Sequence, residues 1–89
     1  MMLPDIIRKN GFTYTKVLRE GRKAIYGQMY CQGIEYFEVF TIKESRQREL
    51  NGKILPAKEL FPANEDFGKT AWCCRTLPEA MERYNRIAL

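Results

Sequence analysis

The chain has 89 residues, of which 45% are apolar and 12% aromatic, and its formal net charge is +4. This length predicts one domain with a sheet covered on one face, and this composition excludes a disordered tail. No apolar run approaches the ~20 residues that cross a bilayer, and the first residues lack the pattern of a signal peptide, so we expect a cytoplasmic protein with no membrane partner.

Residues that commonly carry out catalysis are scarce in this chain. It contains no histidine, which is the commonest general base and metal ligand. Its cysteines are Cys31, Cys73 and Cys74, an odd number without C-x-x-C spacing, which favours neither a disulfide framework nor a zinc site. We therefore predict no catalytic residue, no metal, no cofactor and a non-enzymatic role.

The N-terminal part of the chain favours a short helix followed by strands. Pro4 suits the first turn of a helix over residues 4–9, and Gly11 suits its end. Residues 12–18, 24–31 and 34–42 are rich in aromatic and β-branched side chains, and Glu20-Gly21 and Gln32-Gly33 are candidate two-residue turns. The segment 12–42 is therefore predicted to be a three-stranded antiparallel meander.

These two turns also predict which side chains share a face of the sheet. One face collects most of the large apolar residues and is interrupted only by Lys16 and Glu38, so we assign it to the core; it comprises Phe12, Tyr14, Leu18, Ile25, Gly27, Met29, Cys31, Ile34, Tyr36, Phe40 and Ile42. The opposite face is predicted to carry Tyr26, Tyr30, Phe37 and Val39. A slip of one residue in either turn would mix the two sets.

The segment 43–60 is charged and has no clear periodicity. Asn51-Gly52 predicts a turn, and Lys53–Leu55 is a candidate edge strand that Pro56 would stop. The alternative interpretation is a loop.

The C-terminal part predicts the element that closes the core. In segment 61–76 a capped turn at Asn64 leads to a fourth strand over residues 71–75. Thr76 and Glu79 form a capping box for an amphipathic helix over residues 77–88, whose apolar side would cover the sheet. The predicted fold is a two-layer α+β domain with about four antiparallel strands and one helix.

The same C-terminal segment, over residues 61–87, resembles small uncharacterised proteins of phages and mobile elements. The residues that carry this resemblance are Pro62, Asn64, Glu65, Asp66, Phe67, Gly68, Trp72, Leu77, Glu79, Ala80 and Tyr84. The resemblance implies a small accessory protein that acts inside a bacterial cell, and it implies no activity for any residue.

Two surfaces are candidates for binding. Tyr26, Tyr30, Phe37 and Val39 would form an apolar patch on the face opposite the helix, which is typical of a site for a protein partner or a second copy of the chain. Alternatively, the N-terminal segment or the 44–60 loop covers that face. We predict a binding module that engages a protein through this patch.

The other candidate surface is basic and would lie at one end of the sheet. The first hairpin turn and the start of the charged segment would meet there, bringing together Arg19, Arg22, Lys23, Lys43, Arg46 and Arg48. Such a cluster suits phosphates, with Tyr26 or Tyr30 stacking on bases. The alternative hypothesis is therefore a module that binds DNA or RNA, and the simpler interpretation is a solvated hairpin end.

Overall fold

The computed structural model describes residues 2–9, 11–30 and 33–87, which form a sheet, a projecting arm, one α-helix and a short 3₁₀ helix at Asn64–Asp66. The sheet has five antiparallel strands in the order β1-β2-β3-β4-β9. The arm contains the short strands β5 to β8. The strands are β1 (Ile6–Lys9), β2 (Phe12–Glu20), β3 (Lys23–Tyr30), β4 (Gly33–Thr41), β5 (Lys43–Ser45), β6 (Arg48–Leu50), β7 (Lys53–Leu55), β8 (Lys58–Leu60) and β9 (Ala71–Cys74), and the helix is α1 (Leu77–Arg86).

The predicted α+β class is confirmed, but the sheet has five strands instead of about four. The additional strand is β1, so the predicted helix at residues 4–9 is wrong. β1 pairs with β2 and places Lys9 opposite Phe12. The sequence holds a signal for this hairpin, because Asn-Gly is the preferred dipeptide of a two-residue hairpin turn and Gly11 has a φ of 80°. Asn10 lies outside the described residues.

Two β-bulges change the predicted faces of the meander. Val17 is the extra residue between the Lys16–Tyr26 and Leu18–Ile25 pairs. The second bulge, at Glu35, lies between the Gln28–Tyr36 and Met29–Ile34 pairs. Because a bulge inserts one residue into one strand only, it moves every side chain beyond it to the opposite face.

The sheet consequently has an apolar cluster on each face. The face under α1 buries Ile25 and Val39 against Ala80 and Tyr84. The other face buries its own set of side chains, with Leu3, Phe61 and Phe67 packed against them: Tyr14, Ala24, Tyr26, Phe40, Ile42 and Ala71. Phe61 is central to this second cluster, since its ring centroid lies 4.8, 5.7 and 5.2 Å from those of Tyr14, Tyr26 and Phe40.

The C-terminal elements form largely as predicted. The Thr76 side chain accepts a hydrogen bond from the Glu79 amide at 3.3 Å, which caps the first turn of α1. The helix ends at Arg86, and Ile87 is its C-terminal cap; Ala88 of the predicted span lies outside the described residues. Cys73 is exposed and the neighbouring Cys74 is buried, and both are free thiols.

The charged segment 43–60 is neither a loop nor an edge of the main sheet. It folds back on itself as a long hairpin, which we call the arm. β5 pairs with β8 near the sheet, and β6 pairs with β7 at the far end. Asn51 and Gly52 both have positive φ, 51° and 78°, as a type I′ turn requires. The arm makes the chain elongated, with a radius of gyration of 14.0 Å against about 12 Å for a compact domain of this length.

Candidate functional site

The four residues of the predicted aromatic patch do not form an exposed surface. Tyr26 and Val39 are fully buried and lie on opposite faces of the sheet. Phe37 is half-buried and packs against the cluster under α1, whereas the Tyr30 side chain is outside the described set. The expectation of an open face is therefore wrong. The bulge at Glu35 carries Phe37 and Val39 to the face of Ile25, and Phe61 and Leu3 cover the face that holds Tyr26.

The burial of Tyr26 also removes it as a base-stacking residue. Its hydroxyl donates a hydrogen bond to the Pro4 carbonyl at 2.7 Å. Burial raises its pKa above the ordinary value. Tyr26 thus fixes the N-terminal segment across the second face.

The predicted basic cluster is divided by the structure into paired and unpaired cations. Arg19 forms a two-fold hydrogen-bonded ion pair with Glu59, at 2.5 and 2.6 Å. Lys43 donates to Asp66 Oδ1 at 2.7 Å. Lys23 lies 4.3 Å from the centroid of the Tyr84 ring, and it donates to the Tyr84 carbonyl at 3.3 Å. These three cations therefore stabilise the fold.

The other three predicted cations are exposed. Arg22 follows Gly21 in the turn between β2 and β3, and Arg46 and Arg48 lie on the arm. Within the described part of the chain, none of the three forms an ion pair with a carboxylate. Two of these three cations thus lie on the arm, and Arg22 alone lies at the end of the sheet.

The two faces of the arm differ in charge. Cross-strand partners share a face, and the pairs Arg48–Leu55 and Leu50–Lys53 place cations beside leucines. Nearer the sheet, Lys43–Leu60 does the same and Ser45–Lys58 places a cation beside a serine. We call this side the basic face; it consists of Lys43, Arg46, Arg48, Lys53 and Lys58, interleaved with Leu50, Leu55 and Leu60.

The acidic residues of the arm occupy the alternate positions. Glu44 lies opposite Glu59, and Glu49 lies opposite Ile54. Since successive residues of a strand point to opposite faces, these carboxylates point away from the basic face. The arm is a ribbon that is cationic on one side and anionic on the other.

A cleft of about 510 Å³ joins the two halves of the basic face. It opens where the regular pairing of the arm is interrupted, at residues 46–47 and 56–57; Pro56 has no N–H to donate to a ladder. Its lining includes three cations and no carboxylate, and consists of Ser45, Arg46, Arg48, Leu55, Pro56, Lys58 and Leu60. Its electrostatics therefore favour an anionic group.

The end of the arm nearest the sheet, which we call its root, is fixed to the domain through both β5 and β8. Glu59 on β8 holds Arg19 of β2 and also accepts the amide of Leu3 at 2.8 Å. Hydrogen bonding from Arg19 lowers the pKa of Glu59 to about 2. At the start of β5, Lys43 is held by Asp66, whose other oxygen accepts the Ala63 amide at 2.9 Å.

One carboxylate in the second apolar cluster has a perturbed pKa. Glu38 is 7% exposed, and its Oε2 is the one buried side-chain oxygen or nitrogen in the described residues without a hydrogen-bond partner. Burial raises its pKa to about 7, and the Tyr14 hydroxyl and the charge of Lys9 oppose this only in part. Burial and the nearby Glu38 charge also raise the pKa of the Cys73 thiol, so Cys73 is not an activated nucleophile.

A second cleft, of about 450 Å³, lies between β9 and α1. Arg83 stacks over the Trp72 ring there, at 5.0 Å from the centroid, while Arg86 pairs with Glu82 at 2.6 Å. Its charges are mixed, with Glu79 and Glu82 beside Arg83 and Arg86, so it offers no preference for one ligand charge. Across residues 2–9, 11–30 and 33–87, no group of three or more metal-ligating side chains is placed to hold a metal ion.

No family model, curated protein or solved structure matches the chain with significance. In the described part of the chain, no helix has the length and apolar character required to span a membrane.

Sequence reasoning missed the arm as a structural unit, although two signals for it are present. Asn51-Gly52 was assigned correctly as a turn, and strands on both sides of such a turn are the expected consequence. In addition, Arg48 and Leu50 alternate with Gln47 and Glu49, whereas Ile54 breaks the alternation on the other side of the turn. The weak apolar content of these strands masked the period of two.

Proposed function

We propose that this protein is a nucleic-acid-binding module whose contact surface is the basic face of the arm. The observation that carries the proposal is the separation of charge on the arm, with cations on one face and carboxylates on the other. Such a cationic strip suits phosphate groups as ligands, because each phosphate that it neutralises releases a condensed counterion.

Two further features support this proposal. The cations in the cleft are free to bind an external anion, because Arg46, Arg48 and Lys58 form no ion pair within the described residues. The arm is also positioned by its root, since Glu59 and Asp66 fix both strands to the domain. A prepositioned site loses less conformational freedom on binding.

The test removes the cations of the cleft and compares them with cations elsewhere. The arm variant Arg46→Gln/Arg48→Gln/Lys58→Gln is matched by the control variant Arg8→Gln/Lys69→Gln/Arg75→Gln, which removes the same charge from other exposed positions. Fluorescence anisotropy with labelled DNA and RNA, measured across a salt series, reports affinity and the number of phosphate contacts.

We expect the arm variant to lose most of its affinity, and its slope of log affinity against log salt to fall by about 0.9 per lost contact with duplex DNA. The control should retain its slope. Equal losses in the two variants would assign binding to net charge alone, and circular dichroism checks that both variants fold.

A second candidate function is the binding of a protein partner or a second copy of the chain, through the apolar residues of the arm. Ile54 is 67% exposed and Leu50 is 55% exposed, and exposed apolar side chains at a projecting tip are typical of partner sites. Ile54 lies on the acidic face, opposite Glu49.

That position allows the two candidate functions to be separated. We expect Ile54→Ser to abolish self-association or partner capture while leaving nucleic-acid affinity unchanged, and the arm charge variant to do the reverse. Sedimentation of the purified chain and capture by an immobilised chain are the two measurements. A phage-like or mobile-element origin, with action in the bacterial cytoplasm, remains the biological context that the resemblance predicts.

A further inference from the structure

The shape of the arm distinguishes between kinds of nucleic acid. At its far end the arm is a two-stranded ribbon of β6 and β7, with three residues in each strand, so each strand extends for about 10 Å at about 3.3 Å per residue. The major groove of B-DNA is about 12 Å wide and 8.5 Å deep, and it admits a two-stranded ribbon, whereas the minor groove is only about 6 Å wide. The dimensions of the far end of the arm therefore suit the major groove.

The side chains of the arm argue against a single-stranded ligand. Single strands are typically bound by stacking of their bases on aromatic rings, and the segment 43–60 contains no aromatic residue. The tyrosine that was expected to stack, Tyr26, is buried. Duplex RNA is also disfavoured, because the major groove of an A-form helix is too deep and narrow for side chains to read.

The charge separation fixes which side of the ribbon enters the groove. With the basic face toward the base edges and the flanking phosphates, Glu44 and Glu49 point outward to solvent. Lys53 and Arg48 are then the cations nearest to the groove, because Lys53 directly follows the Asn51-Gly52 turn and Arg48 lies two residues before Leu50 on the same face. Arginine and lysine are the side chains that most often contact guanine in the major groove.

We propose that the ligand of the arm is duplex B-DNA, and that the far end of the arm enters its major groove with the basic face inward. This inference rests on the proposed function, but it is separately testable. It predicts contacts from Arg46, Arg48, Lys53 and Lys58 on the DNA. Four phosphate contacts would give a slope of log affinity against log salt of about −3 to −4 for duplex DNA.

The first experiment compares three labelled probes of one sequence: duplex DNA, single-stranded DNA and duplex RNA. The second adds competitors to the DNA duplex, with methyl green occupying the major groove and distamycin occupying the minor groove. We expect duplex DNA to bind several-fold more tightly than either other probe, and methyl green alone to displace the protein. Lys53→Gln should weaken binding to duplex DNA, while Lys69→Gln should leave it unchanged.

The outcomes separate this inference from the proposed function. Equal or tighter binding of single strands or duplex RNA would overturn the inference and leave a nucleic-acid module in place. Displacement by distamycin instead of methyl green would also overturn it, in favour of the minor groove. A lack of binding to all three probes at low salt would overturn both.

Discussion

Replacing Glu38 with glutamine is expected to change the pH dependence of stability. Glu38 lies in the second apolar cluster, is 7% exposed, and has one carboxylate oxygen without a partner. Its pKa in the folded protein is about 7, against an ordinary value of 4.5, chiefly because burial disfavours the charged form. The folded state therefore binds the Glu38 proton more tightly than the unfolded state does.

The direction and size of this pH effect on stability follow from the difference between the folded and unfolded pKa of Glu38. Because the folded pKa is raised, the contribution of Glu38 to the free energy of unfolding is largest below pH 4.5 and falls as the pH rises from 4.5 to about 7. A difference of about 2.5 pH units corresponds to about 3 kcal/mol. Glutamine removes this dependence, but its buried amide must find partners, at a cost of about 1 kcal/mol.

The variant is therefore expected to be less stable than the wild type at pH 4.5, by about 1 kcal/mol, and more stable at pH 8, by about 2 kcal/mol. Urea unfolding at half-unit intervals between pH 4.5 and 8 measures this crossover by circular dichroism. The fluorescence of Trp72, the only tryptophan, gives a second probe. Glu65→Gln is the matched control, because Glu65 is exposed.

Two results would refute this account of Glu38. One is a wild-type protein whose unfolding free energy is the same at pH 5 and pH 8. The other is a Glu38→Gln variant that keeps the wild-type decline above pH 5, which would place the titrating group elsewhere.

Three further predictions concern the elements that hold the domain together. Tyr84→Ala should lower the unfolding free energy by about 3–5 kcal/mol, because Tyr84 is 1% exposed; a loss below about 1 kcal/mol in urea unfolding would contradict the role of α1 in the core. Thr76→Ala should cost about 1 kcal/mol through loss of the helix cap, with Thr76→Ser restoring stability as its control. Glu59, whose folded pKa is about 2, should contribute stability that is lost as the pH falls from 4.5 to 2, and Glu59→Gln should remove that acid-dependent loss when unfolding is followed by circular dichroism.

The sequence was sufficient to predict the elements whose signals are local. The helix cap at Thr76, the Asn51-Gly52 turn and the alternation within the strands of the meander all depend on neighbouring residues. The two meander turns were each misplaced by one residue, since Glu20 pairs with Lys23 and Tyr30 pairs with Gly33. The N-terminal strand was missed because β1 has four residues, and a segment this short takes its structure from its partner. Its pairing with β2 is a tertiary event that overrides local preference.

The faces of the sheet could not be predicted because of the two bulges. The sets predicted from regular alternation hold within the segments that the bulges separate: Tyr14, Tyr36 and Phe40 share a face, and so do Leu18 and Ile25. The prediction that these two sets lie on the same face of the sheet was wrong. No residue type marks a bulge at Val17 or Glu35 in the sequence, and each bulge reverses the orientation of all later side chains.

The same error explains why the predicted binding patch was misplaced. Regular alternation left Tyr26, Phe37 and Val39 without a cover, so they looked like a surface. In the structure each face of the sheet has its own cover, α1 on one side and Leu3 with Phe61 and Phe67 on the other. Half of the predicted basic cluster, Arg22, Arg46 and Arg48, is both exposed and without an ion pair among the described residues, because these charges are on a turn or on the arm.

A substitution at the root of the arm gives a test in which electrostatics and positioning predict opposite changes in DNA affinity. Glu59→Gln removes a negative charge from the arm and releases Arg19 from its ion pair, so charge alone predicts tighter binding of DNA. If binding depends on a prepositioned arm, the loss of this contact frees the arm at β8, and the added conformational freedom must be lost again on binding. We expect the second effect to dominate, because the pair is largely buried, with side chains 15% and 13% exposed. Weaker binding by Glu59→Gln, measured by anisotropy on duplex DNA, would support a positioned arm, and tighter binding would mean that the arm acts only as a flexible charged segment.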